Sequence, residues 1–498
     1  MANIKLKLTA LTPVHIGSGE VYEPTNFIMD ANVLYEFRDE DFFMALPQIK
    51  QEAFMNMIKD NQSDSFVKVH KFVKDNKEIA IKVASVMVNV TSGLQKDYDR
   101  LLGKIRQQEG RRGDNSRVFN RFEIQKIQRK QVKTESGGYS NTGYIVGSSL
   151  KGSISTAYQE FIFKQDGKKV VEEKFQAKGR EISNNIFKDF KVSDSRVKKI
   201  GTKLGFALNK ERFEYDRHNP QANLKLSTYI EVINPSSEFM VDINYGTLDI
   251  EEILESCTSH YMPIFKSMFA NKTDGKNEYI NEYLPASFYD KYRHFQLKPN
   301  QYLLRVGKHS GARAVTIDGL RDIKSKISGG GKRRKPNKFE YRKDETTTWL
   351  FGENDKLNSN LLPFGWLICE VVQEEHQDTF EAIDELHKIK DRRVQEFREG
   401  EDKREKAKEA EEKKEQEAKA KREAELASMT PIQRVVDSYD DIAKLINDMK
   451  SGNIENFETI KVELATEVKK ILQQTPKTWD KAKKKALERK GYIEGLLR

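Results

Sequence analysis

Apolar and polar residues alternate along several short stretches of this chain, beginning close to its first residue. Ile4, Leu6 and Leu8 alternate with polar residues, a period of two that predicts a half-buried strand. Similar patterns predict strands over residues 187–194, 227–234, 238–245, 302–307 and 362–372. Helical patterns cover residues 40–60, 64–75 and 248–255. Because strands and helices mix in both halves of the chain, the sequence predicts an α+β fold.

A longer amphipathic pattern follows the sequence Gly147-Ser-Ser-Leu-Lys-Gly152. The apolar residues that form one helical face are Leu150, Ile154, Ala157, Tyr158 and Phe161. Glycine allows a tight turn before this helix, Ser148 or Ser149 can cap it, and Lys151 falls in its first turn. A helix start carries unpaired N–H groups and partial positive charge, so this turn is suited to holding a phosphate.

A second glycine turn, His15-Ile-Gly17-Ser18-Gly19, ends the first predicted strand. Neither turn has the glycine and lysine spacing of a nucleotide P-loop or a dinucleotide fingerprint. Either turn alone is typical of an ordinary strand connection. Together with the basic segments of the chain, the two turns favour contact with a nucleic-acid backbone.

Positive charge is concentrated in two segments of this 498-residue chain, whose net charge is +10 and whose pI is near 9.1. Residues 100–133 hold eleven Lys or Arg and three acidic residues, and residues 324–343 hold nine and one. This distribution fits a polyanionic partner. Three interpretations are open for the run Lys332-Arg333-Arg334-Lys335. It is a tract similar to a nuclear-localisation signal, a contact with guide RNA or with the filament, or a solvated loop.

Cysteine and acidic residues give no indication of a disulfide framework or a metal site. Cys257 and Cys369 lack metal-type spacing, and Asp189, Asp194 and Asp216 lack paired ligand spacing. We therefore expect no metal and no cofactor, and a reducing, cytoplasmic location. No apolar run is long enough for a membrane span, and we expect no membrane association.

The last hundred residues differ in composition from the rest. In residues 401–425, nineteen of 25 residues are charged, ten acidic and nine basic. Acid-first i,i+4 pairs and the lack of an apolar seam predict a free-standing helical spacer. Thr430-Pro431 then reads as a helix cap, and apolar residues over the next 60 positions predict a small helical domain. This extension could tether another protein.

Four motifs of this chain together resemble the RAMP superfamily of CRISPR effector proteins, and within it the cap subunit of type III-A Csm complexes. The motifs are Leu11–Glu20, Gly147–Gly152, Leu304–Gly311 and Leu362–Trp366, and their order and spacing match. Val146 replaces a usual proline and Ser155 a common arginine. The resemblance spans about residues 4–372 and does not reach residues 391–498.

The resemblance implies two RRM-like, ferredoxin-like modules, at residues 1–185 and 186–390. For the rest of the chain, the charge pattern and the apolar periodicity predict a helical spacer (391–428) and a small all-α domain (429–498). It implies a non-catalytic RNA-binding subunit of an antiviral ribonucleoprotein, which caps the backbone filament at the crRNA 3′ end and supports maturation of that end. The implied partners are crRNA and neighbouring Csm backbone and small helical subunits. The implied RNA-contacting residues are Gly147, Ser148, Ser149, Lys151, Gly152, Arg129, Lys126, Arg121, His15, Gly17, Ser18, Gly19, Arg305, Lys308, Arg313, Lys332, Arg333, Arg334 and Lys335.

Two other functions remain open at the level of sequence. A RAMP endoribonuclease would use His15 as general base, with Lys151 stabilising charge. His309 is a weaker candidate for the same role, and His218 reads as a surface-loop residue. A purely structural capping protein would contact its filament neighbours and touch RNA incidentally.

Overall fold

The computed structural model describes residues 2–23, 25–59, 65–101, 123–133, 139–175, 185–212, 226–269, 280–327, 338–373, 381–474, 479–480 and 482–498. The chain divides into two compact units, Met1–Gln395 and Glu396–Arg498. Within the described residues, none of the helices is both long enough and apolar enough to cross a membrane.

The strands lie in the first unit. They are β1 (Ala2–Ala10), β2 (Gly17–Tyr22), β3 (Phe27–Asp30), β4 (Val33–Glu36), β5 (Val86–Val90), β6 (Ile124–Ile127), β7 (Arg129–Lys133), β8 (Tyr139–Gly143), β9 (Lys191–Val192), β10 (Arg196–Lys199), β11 (Thr202–Glu211), β12 (Ser227–Ile233), β13 (Glu238–Gly246), β14 (Gln301–Arg305), β15 (Ile323–Ile327), β16 (Lys338–Arg342), β17 (Thr347–Gly352), β18 (Leu362–Pro363) and β19 (Trp366–Val372).

Helices occur in both units. They are α1 (Asp39–Ala45), α2 (Gln48–Lys59), α3 (Ser65–Asp75), α4 (Lys77–Val83), α5 (Ser92–Leu101), α6 (Gly147–Asp166), α7 (Lys168–Phe175), α8 (Ile250–Ser267), α9 (Ile280–Tyr283), α10 (Ala286–Tyr292), α11 (Glu381–Ser428), α12 (Pro431–Asp437), α13 (Ile442–Ser451), α14 (Phe457–Gln473) and α15 (Lys485–Leu496). The predicted α+β class is confirmed.

Two sheets organise the first unit. One has the order β10-β13-β1-β19-β14, with β9 paired to β13, and the other has the order β2-β6-β12-β11-β5-β4-β3, with β17 paired to β11. Strand β1 lies between β13 and β19 and is antiparallel to both, with Leu6 opposite Val241 and Val371. Each sheet takes strands from both sides of residue 185, and the division into two modules at that residue stays a prediction.

The main core lies between the first sheet and helices α6 and α8. Leu6 and Leu8 of β1 are fully buried, as the alternation predicts, and share this core with Leu150 and Ile154 of α6. Cys369 also lies in it, as a small buried side chain. Phe364 and Trp366, on either side of the glycine between β18 and β19, are also fully buried. The face of α6 that the sequence predicts is therefore the packed one.

The predicted strand over residues 187–194 is wrong. The chain forms a short 3-10 turn at Ile186–Lys188, and only Lys191–Val192 pair as strand β9. Phe187 and Phe190 are both buried, and a spacing of three suits a helical turn, since a strand would place them on opposite faces. Residues 323–327 and 338–342, in the second basic segment, pair as an antiparallel hairpin.

The second unit begins within α11, and residues 401–425 are helical and exposed throughout, as predicted for a spacer helix. Thr430 caps α12, with its side chain accepting from Gln433 N and the Gln433 side chain accepting from Thr430 N. A separate apolar core joins α12–α15, including Leu445, Ile446 and Leu464. The status of residues 429–498 as an independent domain stays a prediction.

Candidate nucleic-acid interface

Three of the four sequence motifs meet directly through main-chain hydrogen bonds. Lys308 N donates to His15 O at 2.8 Å, Gly365 N donates to Pro13 O at 2.8 Å, and Val306 N donates to Gly365 O at 2.8 Å. We call residues 13–19, 305–310 and 363–366 the motif junction. Segments far apart in sequence thus form one continuous main-chain network.

Glycine is required inside the motif junction because the chains pass too close for a side chain. A Cβ on Gly307 would lie 2.4 Å from His15 O, and one on Gly365 would lie 2.3 Å from Val306 O. Both residues also have positive φ, at 84° and 91°, where other residues are strained. These two glycines therefore serve internal packing.

The fourth motif joins the motif junction through the second turn of α6. Ser153 Oγ donates to Arg305 O at 2.9 Å, and Tyr261 OH donates to Ser153 O at 3.0 Å. The start of α6 and the turn at His15–Gly19 are therefore linked through residues 305–308.

The first turn of α6 differs from the predicted phosphate turn. The helix begins at Gly147 itself, its N-cap is Val146, and neither Ser148 nor Ser149 caps it. Gly147 N donates instead to the carboxylate of Asp194, at 2.8 Å. The first N–H that the sequence assigns to phosphate is thus occupied by an internal anion, and the prediction of a serine cap is wrong.

The two glycines of this motif have different environments. A Cβ on Gly147 would lie 2.3 Å from Val192 O and 2.7 Å from Ser193 O, so packing excludes a side chain. Gly152 is exposed, and a Cβ there would meet nothing within 4 Å among the described residues, the helix's own nearby backbone apart. Packing within the described residues does not require glycine at position 152.

Lys151 is half-buried, and its Nζ donates to Phe187 O at 2.8 Å. Burial, partly offset by the nearby Asp189, lowers the pKa of this lysine. Its ammonium is oriented by an internal carbonyl, which leaves fewer donors for an external phosphate than the sequence suggests.

Arg129 forms a buried ion pair. Its guanidinium binds the carboxylate of Glu231 and donates to Asn141 O at 2.8 Å. Burial alone would lower the pKa of Arg129, but the adjacent Glu231 and Tyr22 raise it well above its usual range. Glu231 is fully buried and also accepts from Tyr22 OH at 3.0 Å and Ile127 N at 3.2 Å. The geometry assigns Arg129 to this internal network.

Three other predicted cations also have internal partners. Lys126 pairs with Glu36 and lies over the ring of Tyr22. Arg305 is buried, donates to Phe364 O at 2.9 Å, and lies 4.8 Å from the ring centroid of Trp366. Arg313 donates to Ser267 Oγ at 3.3 Å. These contacts hold the three charged side chains against other residues of the first unit and do not point them outward.

Lys308 is exposed, unlike those cations, and its Nζ donates to the side chain of Gln125 at 2.7 Å. On the same motif junction, Gly17 and Gly19 are exposed, and Ser18 Oγ accepts from Glu20 N at 3.2 Å. We call Gly17, Ser18, Gly19, Lys308 and Gly152 the exposed glycine face. Ser148 is exposed beside it on α6.

Several predicted positions lie outside the described residues. These are Arg121, Lys332, Arg333, Arg334 and Lys335, together with His218 and Asp216. Among the described residues, no group of three or more His, Cys, Asp or Glu could hold a metal ion.

His15 is buried beside this face. Its Nδ1 lies 2.7 Å from Glu231 O, and burial, together with Lys308, lowers its pKa to about 4 despite that hydrogen bond. Burial and Lys308 likewise lower the pKa of His309 to about 3. A base with such a pKa accepts a proton weakly near pH 7.

Sequence reasoning did not consider Glu231 and considered Asp194 only as a metal ligand. These two carboxylates bind Arg129 and Gly147 N, which the resemblance assigned to RNA. Glu231 could have been found, because it interrupts the apolar stretch Tyr229-Ile-Glu-Val-Ile233, and a charge in a buried strand needs a partner. Nothing local marks Asp194, whose partner at Gly147 lies 47 residues earlier.

A profile of the RAMP superfamily matches residues 7–334. The chain belongs to the RAMP superfamily. No curated protein matches it. Among solved structures, this RAMP protein is similar to a chain of a Csm–crRNA–target RNA ternary complex of a type III-A CRISPR–Cas system, with 16% identity, 74% of this chain and 100% of that chain covered, and a TM-score of 0.45. It is also similar to Csm5 of T. onnurineus, with 14% identity, 73% and 99% covered, and a TM-score of 0.38.

Proposed function

We propose that this RAMP protein is a non-catalytic, RNA-binding subunit of a type III-A CRISPR interference complex. It caps the backbone filament at the crRNA 3′ end and supports maturation of that end in antiviral defence. Its superfamily membership and the order of the four motifs support this proposal. The partners are crRNA and neighbouring Csm subunits.

The exposed glycine face carries the proposal. Glycine inside a helix costs about 1 kcal/mol relative to alanine, and at Gly152 no contact among the described residues offsets that cost. A main chain left bare on the outside allows a ligand backbone to approach closely. Gly17 and Gly19 are exposed on the same junction, and Lys308 supplies positive charge. This arrangement suits contact with phosphates and sugars more than reading of bases.

Substitutions at Gly152 test its effect on helix stability separately from its contact with RNA. We expect Gly152→Ala to raise the free energy of unfolding by about 0.5–1 kcal/mol, because the added methyl group has space and favours the helix. Gly152→Glu should fold normally but bind guide RNA more weakly, since it adds bulk and negative charge to the exposed glycine face.

Gly147→Ala is the matched control, and it should destabilise the protein because the new Cβ would overlap Val192 O. Lys308→Glu tests the same face independently, with Lys403→Glu on the exposed helix α11 as its charge-matched control. Chemical unfolding and fluorescence anisotropy with a labelled guide RNA measure the two effects. Guide-RNA affinity unchanged in both Gly152→Glu and Lys308→Glu would contradict the role of this face.

The function itself is tested by purifying the tagged protein from its native cell and sequencing the bound RNA. We expect repeat–spacer guides together with other Csm subunits, and removal of this protein should deplete the full-length guides. Normal assembly of the complex with Lys308→Glu and Gly152→Glu, without loss of guides, would instead favour a purely structural capping role.

The endoribonuclease alternative receives less support from the site. His15 is buried, its Nδ1 is engaged by Glu231 O, and its pKa is about 4. Recovery of the protein alone with processed RNA fragments, and multiple turnover on added precursor, would establish that alternative.

A further inference from the structure

The second unit carries a strong separation of charge. Residues 429–468 contain four basic and eight acidic residues, whereas residues 469–498 contain ten basic and three acidic residues. The acidic part forms α12, α13 and most of α14, and the basic part includes α15. The charges of this unit are therefore separated along its sequence, with the positive charge towards its last helix.

The basic part includes lysines that lack a compensating carboxylate. Lys483, Lys484 and Lys485 are consecutive and exposed, and among the described residues no acidic side chain pairs with any of them. By contrast, Lys461 in the acidic part pairs with Glu458, and Lys470, at the start of the basic part, pairs with Glu467. Unpaired neighbouring ammonium groups repel one another, and this cost is relieved when a polyanion binds.

Two more lysines of this unit lie over the ring of Trp479. Lys469 Nζ lies 5.7 Å and Lys490 Nζ 5.1 Å from the centroid of its ring, and Lys490 Nζ also donates to Trp479 O at 3.3 Å. Tryptophan is the best aromatic partner for a cation. The ring itself is only 5% exposed, so it positions these ammonium groups and is not available for stacking.

We propose that the basic part of the second unit is a separate binding site for the phosphate backbone of a nucleic acid. We call its residues Lys469, Lys483, Lys484, Lys485, Arg489 and Lys490 the lysine patch. Protein interfaces have an apolar centre, whereas nucleic-acid interfaces are polar and strongly positive. Among the described residues after Gln474, Leu487 is the one large apolar side chain counted as exposed. The composition of the patch therefore favours a nucleic acid over an acidic protein.

The test compares the full-length chain with Lys483→Glu/Lys484→Glu/Lys485→Glu. The control is Lys403→Glu/Lys406→Glu/Lys408→Glu, which makes the same charge change on exposed α11. Binding of labelled 20-nucleotide oligouridine and oligothymidine is measured by anisotropy at several salt concentrations. We expect the patch variant to raise Kd by about tenfold or more, and to flatten the log–log salt dependence by about 2, from about 0.7 per lost phosphate contact.

The control should change both quantities much less, and the same three lysines changed to Gln should give an intermediate effect at an unchanged thermal midpoint. Weaker binding of both oligomers by the patch variant identifies the shared phosphate backbone, and loss restricted to oligouridine identifies RNA. Repeating the series with Gly152→Glu separates this site from the exposed glycine face, because two independent sites give effects that multiply. A patch variant with the control's affinity and salt dependence would overturn the proposal, and so would loss of a co-purifying protein with RNA binding intact.

Discussion

Arg129→Ala is expected to lower the free energy of unfolding by about 3–5 kcal/mol, because it leaves the fully buried carboxylate of Glu231 without its counter-charge. The loss extends beyond one contact, since Glu231 also accepts from Tyr22 of β2 and Ile127 of β6. Urea unfolding of the full chain, followed by tryptophan fluorescence and circular dichroism, measures the change.

A double variant tests whether this loss of stability comes from the unpaired charge of Glu231. Arg129→Met/Glu231→Gln removes both charges while Gln keeps an acceptor for Tyr22 and Ile127, so it should recover most of the stability lost in Arg129→Met alone. At temperatures where the variants are folded, the salt dependence of guide-RNA binding should match that of the original protein. Stability of Arg129→Ala within about 0.5 kcal/mol of the original, the usual range for surface substitutions, would show that the pair is not buried in solution.

The protein is expected to lose stability steeply between pH 6.5 and pH 4. Burial lowers the pKa of His15 and of His70 to about 4, and that of His309 to about 3, with a smaller contribution from nearby lysines. In this window the unfolded chain binds protons that the folded chain does not, so stability falls as pH falls. Three such protons give a slope of up to about 4 kcal/mol per pH unit.

A total stability of about 5–15 kcal/mol is typical of a domain, so acid unfolding should occur within this window. His70→Gln should reduce the slope by about 1.4 kcal/mol per pH unit, and it lies outside the proposed RNA-binding face. Unfolding free energies from urea titrations at closely spaced pH values check both figures. A stability that stays flat from pH 7 to pH 4.5 would mean that these imidazoles are hydrated in solution.

Local sequence patterns predicted most helices and strands correctly. They did not predict which distant residues the side chains and helix ends would contact. The alternation around Leu6 and the cap at Thr430 depend on neighbours within a few residues, and both are confirmed. The role of Arg129 depends on Glu231, 102 residues away, and the first N–H of α6 depends on Asp194. The family resemblance implied that both groups contact RNA, and the local sequence did not reveal that Glu231 and Asp194 bind them inside the protein.

The positions of the motifs predicted which segments meet in the folded protein. The charged residues within the motifs did not predict which side chains are exposed. Pro13, His15, Val306 and Gly365 meet because they lie in loops next to the ends of β1, β14 and β19, which are neighbours in one sheet. Lys308 emerges as an exposed cation of this neighbourhood, and Gly152 as an exposed glycine. The sequence alone could not separate Gly152 from Gly147, because that distinction depends on the carbonyls of residues 192 and 193.

The central position of β1 in its sheet has a consequence for synthesis. The ribosome makes this strand before its two neighbours in the sheet, β13 and β19, which end at Gly246 and Val372. At about 5–20 residues per second, synthesis from β1 to the end of β13 takes on the order of tens of seconds, and both edges of β1 are unpaired during this time. Nascent chains arrested before residue 372 should therefore expose an apolar strand, engage chaperones and resist native folding, so this unit is completed only when nearly all of it has been translated.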